Sequence, residues 1–144
     1  MSTCTFFGHH DCPPSIKPKL RKVLIDLIAN QSVDMFYVGN KGAFDRLVRS
    51  VLRELVQEYP QINYSVVLER LPGMQNEDYR EDFSDTMLPE GIEEAPPRFA
   101  ISWRNKWMLR QSDYVVTYIA HFWGGAAQFS GMAERQKKTV INLA

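Results

Sequence analysis

Cysteine, net charge and long apolar runs are scarce in this chain of 144 residues. Cys4 and Cys12 are its only cysteines, too few to staple a secreted framework. A domain of about 150 residues buries roughly 68–70% of its unfolded surface and needs no such staples. No stretch of about 18 apolar residues occurs, so no segment is expected to span a bilayer. The 17 Lys and Arg are balanced by 17 Asp and Glu. Zero net charge argues against coating nucleic acid or an anionic membrane, since both tasks draw on a basic excess. The first turns read Phe6-Phe7-Gly8-His9-His10-Asp11 in place of an apolar leader. The expectation is a soluble, cytoplasmic protein with one domain over residues 1–144, in a reducing compartment.

Helical periods are clear in two places. From Ser15, a plausible N-cap, the residues Ile16, Leu20, Val23, Leu24, Leu27 and Ile28 fall at steps of three and four. From Ala43 to Glu58, Phe44, Leu47, Val48, Val51, Leu52, Leu55 and Val56 share one face, and Pro60 ends the run. Weaker helical patterns cover Arg98–Arg110 and Gly125–Gln136. Five short runs rich in β-branched and aromatic residues read as strands: Thr3–Phe7, Met35–Val38, Ile62–Leu68, Tyr114–Ile119 and Val140–Leu143. They are mostly continuous rather than alternating, as expected of a parallel sheet covered on both faces. The order predicts a three-layer α/β fold with a mainly parallel five-stranded sheet.

The segment Glu69–Pro97 differs from the rest. It gathers nine acidic residues and four of the eight prolines, with Gly73 and Gly91, and shows no sustained period. A connection this long is expected to be a solvated excursion, a lid or an interface. Its apolar members Tyr79, Phe83, Met87, Leu88 and Ile92 favour packing on the domain or on a second subunit.

In an open parallel sheet, ligands bind beyond the carboxyl ends of the strands, where the strand order reverses. That rule selects Gly8-His9-His10-Asp11-Cys12-Pro13 after the first strand, Gly39-Asn40-Lys41-Gly42 after the second and His121-Phe122-Trp123-Gly124-Gly125 after the fourth. It also selects Arg104-Asn105-Lys106, which leads into the fourth. Glycines between strand and helix admit a ligand close to the backbone, and free N–H groups at the helix start favour phosphate; such glycines also meet purely conformational needs. With Arg104 and Lys106, the three turns point to an anionic, phosphate-bearing ligand. His9, His10 and His121 read as hydrogen-bonding residues, as ligand-contacting or acid–base groups, or, beside Asp11 and Cys12, as ligands of a metal such as zinc. Their spacing matches no structural zinc motif, and Cys12 reads as an ordinary thiol. Trp103 and Trp107, four apart, share a helix face that suits a core or a subunit interface, so a homo-oligomer is expected.

These stretches together resemble the SLOG superfamily. The resemblance rests on Phe7-Gly8-His9-His10, Gly39-Asn40-Lys41-Gly42-Ala43-Phe44-Asp45, Arg104-Asn105-Lys106-Trp107-Met108 followed by Ser112-Asp113, and Trp123-Gly124-Gly125. It spans essentially the whole chain and looks nearest to the YpsA-like branch, with LOG-type phosphoribohydrolases and DNA-processing Smf proteins as more distant relatives. It implies a Rossmann-like domain that binds nucleotides or nucleotide-derived ligands. Carried over by position, Gly8, Gly39, Arg104, Asn105, Gly124 and Gly125 would line the pocket, with Asp45 matching the family's aspartate after a one-residue insertion.

Two departures shape the functional expectation. Where the branch commonly has an arginine in its first-strand turn, this chain has His10. Where LOG-type enzymes carry a catalytic glutamate, it has Gly131, and Glu134 lies three residues further on. The expected function is therefore binding of a nucleotide-derived small molecule, by sensing, carrying or sequestering it. Phosphates would sit on Gly39–Gly42, including Asn40 and Lys41, and on Trp123–Gly125, with Arg104 assisting and with His9 and His10 at the ligand's polar end. Trp123 would stack on a base or close the core. No cofactor is firmly implied. The alternative is a nucleoside-phosphate hydrolase or phosphoribohydrolase-like enzyme using Asp11, Asp45 or Glu134 as its carboxylate. A nucleic-acid partner, which the Smf proteins suggest, is disfavoured by the neutral charge.

Overall fold

The computed structural model describes residues 2–70 and 85–144. In chain order its elements are β1 (Ser2–Gly8), α1 (Lys17–Asn30), β2 (Val33–Val38), α2 (Gly42–Glu58), β3 (Asn63–Val67), β4 (Thr86–Met87), α3 (Ala100–Gln111), β5 (Tyr114–Tyr118), α4 (Gly125–Arg135) and β6 (Thr139–Asn142). Among the described residues the strands form one sheet in the order β4-β3-β2-β1-β5-β6, and every neighbouring pair is parallel.

Both faces of that sheet are covered, which is why its strands read as unbroken apolar runs. Cys4 and Phe6 of β1 enter one core with Leu20, Leu24 and Leu27 of α1 and Val48, Val51, Leu52 and Leu55 of α2. Phe7 turns to the opposite side, where Met108 and Leu109 of α3 meet Phe129 and Ala133 of α4. Val66 and Val67 of β3, and Val116 and Val115 of β5, divide between the two cores in the same alternating way. The result is a three-layer, Rossmann-like α/β domain.

Three sequence expectations need correction. The sheet has a sixth strand, β4, because two residues are too few to leave a periodic signal; the backbone N–H of Val66 donates to the Asp85 carbonyl at 2.7 Å, and that of Leu68 to Met87 at 2.9 Å. Ser15 does not cap α1. It lies inside a 3-10 turn, Pro14–Ile16, and α1 starts at Lys17 with Pro18 setting the backbone of its first turn. Likewise α3 begins at Ala100, after a 3-10 turn at Pro97–Phe99 that holds Arg98.

Of the connection 69–97, Gly73, Tyr79 and Phe83 lie outside the described residues. Its described end is built into the domain: Met87 belongs to β4, Leu88 packs against the larger core and Ile92 is buried. Among the described residues no helix is long and apolar enough to cross a membrane.

This topology fixes where a ligand would meet the sheet. From β1 the chain builds outward through β2, β3 and β4, then returns to lay β5 on the other side of β1. The order reverses at the β1/β5 pair, whose register sets Gly8 opposite Tyr118. The loops leaving β1 and β5 diverge there, and a crevice opens at their carboxyl ends.

Candidate functional site at the strand reversal

A cleft of about 310 Å³ occupies this position. Its lining brings together Gly8, His9, His10 and Asp11 from the β1 turn and Lys41 and Asp45 from the start of α2. Arg104 and Asn105 of α3, with His121, Gly124 and Gly125 before and at the start of α4, complete it. Most of the residues selected from the sequence thus meet in one place although they come from four separate stretches.

The histidines behave differently from one another. His9 continues β1, its N–H donating to the Tyr118 carbonyl at 3.2 Å, and its ring stacks on that of His121 with centroids 3.6 Å apart. His121 in turn stacks on Trp123 at 3.9 Å, so three rings form one pile beside the cleft. The backbone N–H of His121 donates to His9 Nε2 at 3.3 Å, an arrangement that requires a neutral His9 with its proton on Nδ1. Burial and the neighbouring His121 pull the His9 pKa below its ordinary value in the same sense, against the pull of Asp11. His10 instead turns toward α2, where a side chain at Gly42 would come within 2.9 Å of its ring. The rings of His9 and His121 stack face to face, whereas His10 turns toward Gly42. Among the described residues no group of three or more His, Cys, Asp or Glu side chains is placed to hold a metal ion.

Arg104, expected to assist in holding phosphate, is engaged within the protein. It is 2% exposed, and its Nη1 donates to Asn40 Oδ1 and to the Val67 carbonyl, both at 2.9 Å, while Nε donates to Asn105 Oδ1 at 2.9 Å. It ties α3 to the ends of β2 and β3. Asp45, also buried, accepts the Lys41 backbone N–H at 3.0 Å through Oδ2. Burial lifts the Asp45 pKa to about 6, opposed by Arg104 and by that backbone hydrogen bond. Glu69, 7% exposed, pairs with Lys41 Nζ at 3.1 Å and lies 3.8 Å from Arg104 Nη1. Burial pushes its pKa up, but its own backbone N–H and the Lys41 and Arg104 cations outweigh that push and leave it lowered.

The glycines divide into two kinds. A Cβ on Gly8 would strike the Phe44 ring, and one on Gly39 would lie 2.7 Å from Asp45 Oδ2 and 3.0 Å from Arg104 Cζ. These two allow close packing. Gly39 and Asn40 therefore stand behind the cleft wall; the Lys41 amide of the Gly39–Gly42 turn is already engaged by Asp45, and that of Ala43, just after the turn, by the His10 carbonyl at 3.0 Å. Gly124 and Gly125, by contrast, are exposed and have nothing within 4 Å of an added Cβ. Gly124 precedes α4 with a φ of 95°, and no side chain caps that helix.

Several expected residues fall outside the cleft lining: Trp123 is reached only through His121, Gly42 faces His10, and Lys106 and Glu134 are exposed elsewhere. Gly131 sits within α4, where an added Cβ would meet only Arg135. Asp11 is exposed at the rim. Cys12 is buried and its thiol pushed up to about 11 by burial and by Asp11, consistent with an inert thiol. Trp107 packs edge-on against Tyr37 at 5.0 Å, and Trp103 approaches Gly91, so the pair is half-buried within its own domain. The sequence did not single out Ile101 and Met108 as lining residues, nor Glu69 as part of the charge network; Glu69 follows β3 closely, and its strand-end position was the available signal.

No family model matches this chain, and no curated protein matches it.

Proposed function

We propose that the cleft at the β1/β5 reversal binds a phosphate-bearing, nucleotide-derived small molecule, the function that the resemblance to the SLOG superfamily implies. The observation that carries this reading is the open, uncapped start of α4: Gly124 and Gly125 line the same cleft as Lys41 and His10, an added Cβ on either would meet nothing within 4 Å, and a helix N-terminus favours an anion. Arg104 and Asp45 shape the wall behind it. The phosphate place is thus the Gly124–Ala126 turn and not Gly39–Gly42, where Gly39 and Asn40 stand behind the cleft wall and the Lys41 amide is taken by Asp45. About 310 Å³ lies at the small end of the range of roughly 300–1,000 Å³ typical of ligand pockets, which suits one nucleoside phosphate and not a dinucleotide. Thermal melting with ribose 5-phosphate and nucleoside monophosphates tests the reading. A ligand at one hundred times its Kd adds about 2.7 kcal/mol and should raise Tm by several degrees; a flat response across the panel sinks the proposal.

A second reading is favoured by Asp45, a cleft carboxyl with a pKa lifted to about 6, the kind of group that performs general acid–base chemistry. On this reading the domain hydrolyses a nucleoside phosphate. Free base released on incubation, and lost in Asp45→Asn, would establish it; nucleotides recovered intact would leave binding alone. Phe99 and Ile101, exposed at the start of α3, are the apolar surface that a homo-oligomer would cover, and light scattering reads the mass directly.

A further inference from the structure

Lys41 stands between two spaces. It lines the cleft, and with Ile101 it also lines an adjoining cavity of about 610 Å³ whose walls include Leu88, Ile92, Pro97 and Ala100. Its root is fixed, because the Lys41 backbone N–H donates to Asp45 Oδ2 at 3.0 Å. Its side chain is freer: 37% of it is exposed, and a lysine ammonium rides on a flexible four-carbon stem. The Nζ pairs with Glu69 Oε1 at 3.1 Å, and Glu69 lines the larger cavity but not the cleft. The ion pair thus commits the ammonium to a partner outside the cleft.

Among the described residues, Lys41 and Arg104 are the Lys and Arg side chains of the cleft lining. Arg104 is buried, with Nε donated to Asn105 and Nη1 to Asn40 and the Val67 carbonyl. Lys41 is therefore the cation that can turn toward an anion in the cleft. Glu69 can release it, since Arg104 Nη1 lies 3.8 Å from its Oε2 and Arg70 Nε 3.9 Å from its Oε1, so two cations stay beside the carboxylate after Lys41 leaves. An incoming group with the single charge of a carboxylate gains little by the exchange. A phosphomonoester gains more, with a charge of about −1.5 to −2 at pH 7 and three acceptor oxygens. We infer that Glu69 is a built-in competitor for Lys41, and that a phosphomonoester at the start of α4 takes the ammonium from it where a singly charged phosphodiester does so poorly. The inference rests on the proposed phosphate site and adds to it a regulating contact and a preferred anion.

Calorimetric titration of the whole chain with ribose 5-phosphate and with its phosphate methyl ester, run as a double-mutant cycle, tests this. The monoester should bind wild type at least about fivefold tighter than the methyl ester. Lys41→Met should weaken the monoester at least about tenfold and narrow its lead over the methyl ester. Glu69→Gln should instead tighten the monoester at least about threefold, and this gain should vanish in the Lys41→Met background. A role of Glu69 through its charge alone would not produce that loss, because removing a negative charge near the cleft helps an anion with or without Lys41. Glu69→Asp keeps the charge beside Arg104 and draws the carboxylate back from Lys41; it should give a smaller gain of the same sign, and it carries the test if the neutral variant does not fold. If ribose 5-phosphate binds wild type but Glu69→Gln and Glu69→Asp bind it no tighter, or gain equally without Lys41, the competition is wrong and the phosphate site stands. An equal lead of the monoester in wild type and Lys41→Met overturns the preferred anion. If neither wild type nor the Glu69 variants bind ribose 5-phosphate, the phosphate site fails and takes the competition with it.

Discussion

The turns that enter α2 and α4 look alike in sequence, each with glycines between a strand and a helix, yet they serve opposite ends. At Gly39–Gly42 the missing side chain lets Asp45 and Arg104 close on the backbone, and the local amides bond inward. At Gly124–Gly125 the missing side chain leaves open space at a helix start that no side chain caps. A glycine at a strand–helix turn therefore signals either a close approach by the protein itself or room for something else. Only the neighbours of the absent Cβ tell which.

Substitution by alanine should split the two turns, and this is the largest effect expected. Gly39→Ala forces its Cβ against Asp45 and Arg104, both held by hydrogen bonds, and should destabilise by about 2–3 kcal/mol in urea unfolding. Gly8→Ala, against the rigid Phe44 ring, should cost at least as much. Gly125→Ala has no clash and sits at the first position of α4, where alanine should be neutral or stabilise by up to about 1 kcal/mol. On the proposed phosphate site, its effect should appear in ligand titration, because the methyl group adds bulk at the start of α4. Equal stability losses at Gly39 and Gly125 would erase the distinction.

Acidity provides the second test. Asp45, with a pKa lifted from 3.8 to about 6, keeps a proton in the folded chain that the unfolded chain has already lost. Stability from this group is full below about pH 4 and falls as pH rises through about 6, by roughly 2–3 kcal/mol at 1.36 kcal/mol per unit. Asn at this position keeps an acceptor for the Lys41 N–H and has no proton to lose. The stability of Asp45→Asn relative to wild type should therefore grow by that amount between pH 4 and 7, followed by urea unfolding at each pH. Glu69 slopes the other way, since its pKa is lowered and its contribution is lost as acid is added. The open turn at Gly124 has no buried carboxylate against it, and Gly125→Ala should show the same pH profile as wild type.

The strand-end rule selected four stretches from the sequence, and the structure brings most of their residues to one cleft; the strand order and the reversal between β1 and β5 come from the structure, since the sequence left open whether the first and fourth strands are neighbours. The structure also brings His9 and His121 to adjoining strands, as their rings show. What the rule missed were relations set by three-dimensional packing. Nothing in a local pattern reveals that Arg104 will reach the Val67 carbonyl and the Asn40 amide oxygen, 37 and 64 positions away. Glu69 was grouped with eight other acids of the connection, and only β4 and the turn at Ile92, too short to show in the sequence, hold that region close enough to make it a wall. The resemblance to SLOG proteins weighted Gly39 as a pocket residue, whereas packing places it behind one.

The smallest effect should come from the pile of rings at the open turn. Phe122 is 91% exposed and Trp123 61% exposed, so neither contributes much to the core; an aromatic pair adds about 0.5–1.5 kcal/mol, and Trp123→Ala should lose no more than that. Phe122→Ser should be silent in melting. The informative readout is His9 in NMR titration. Its pKa is held down first by burial and then by His121, and Trp123 covers the outer face of His121. Removing the indole lets water reach the histidine pair and should move the His9 pKa back toward its ordinary value near 6.5, while Gly39 and its neighbours stay unaffected. An unchanged His9 would mean that the β1/β5 backbone alone shields it. In that case Trp123, with one face on His121 and the rest of its ring in solvent, is a surface residue with no part in the chemistry of the cleft.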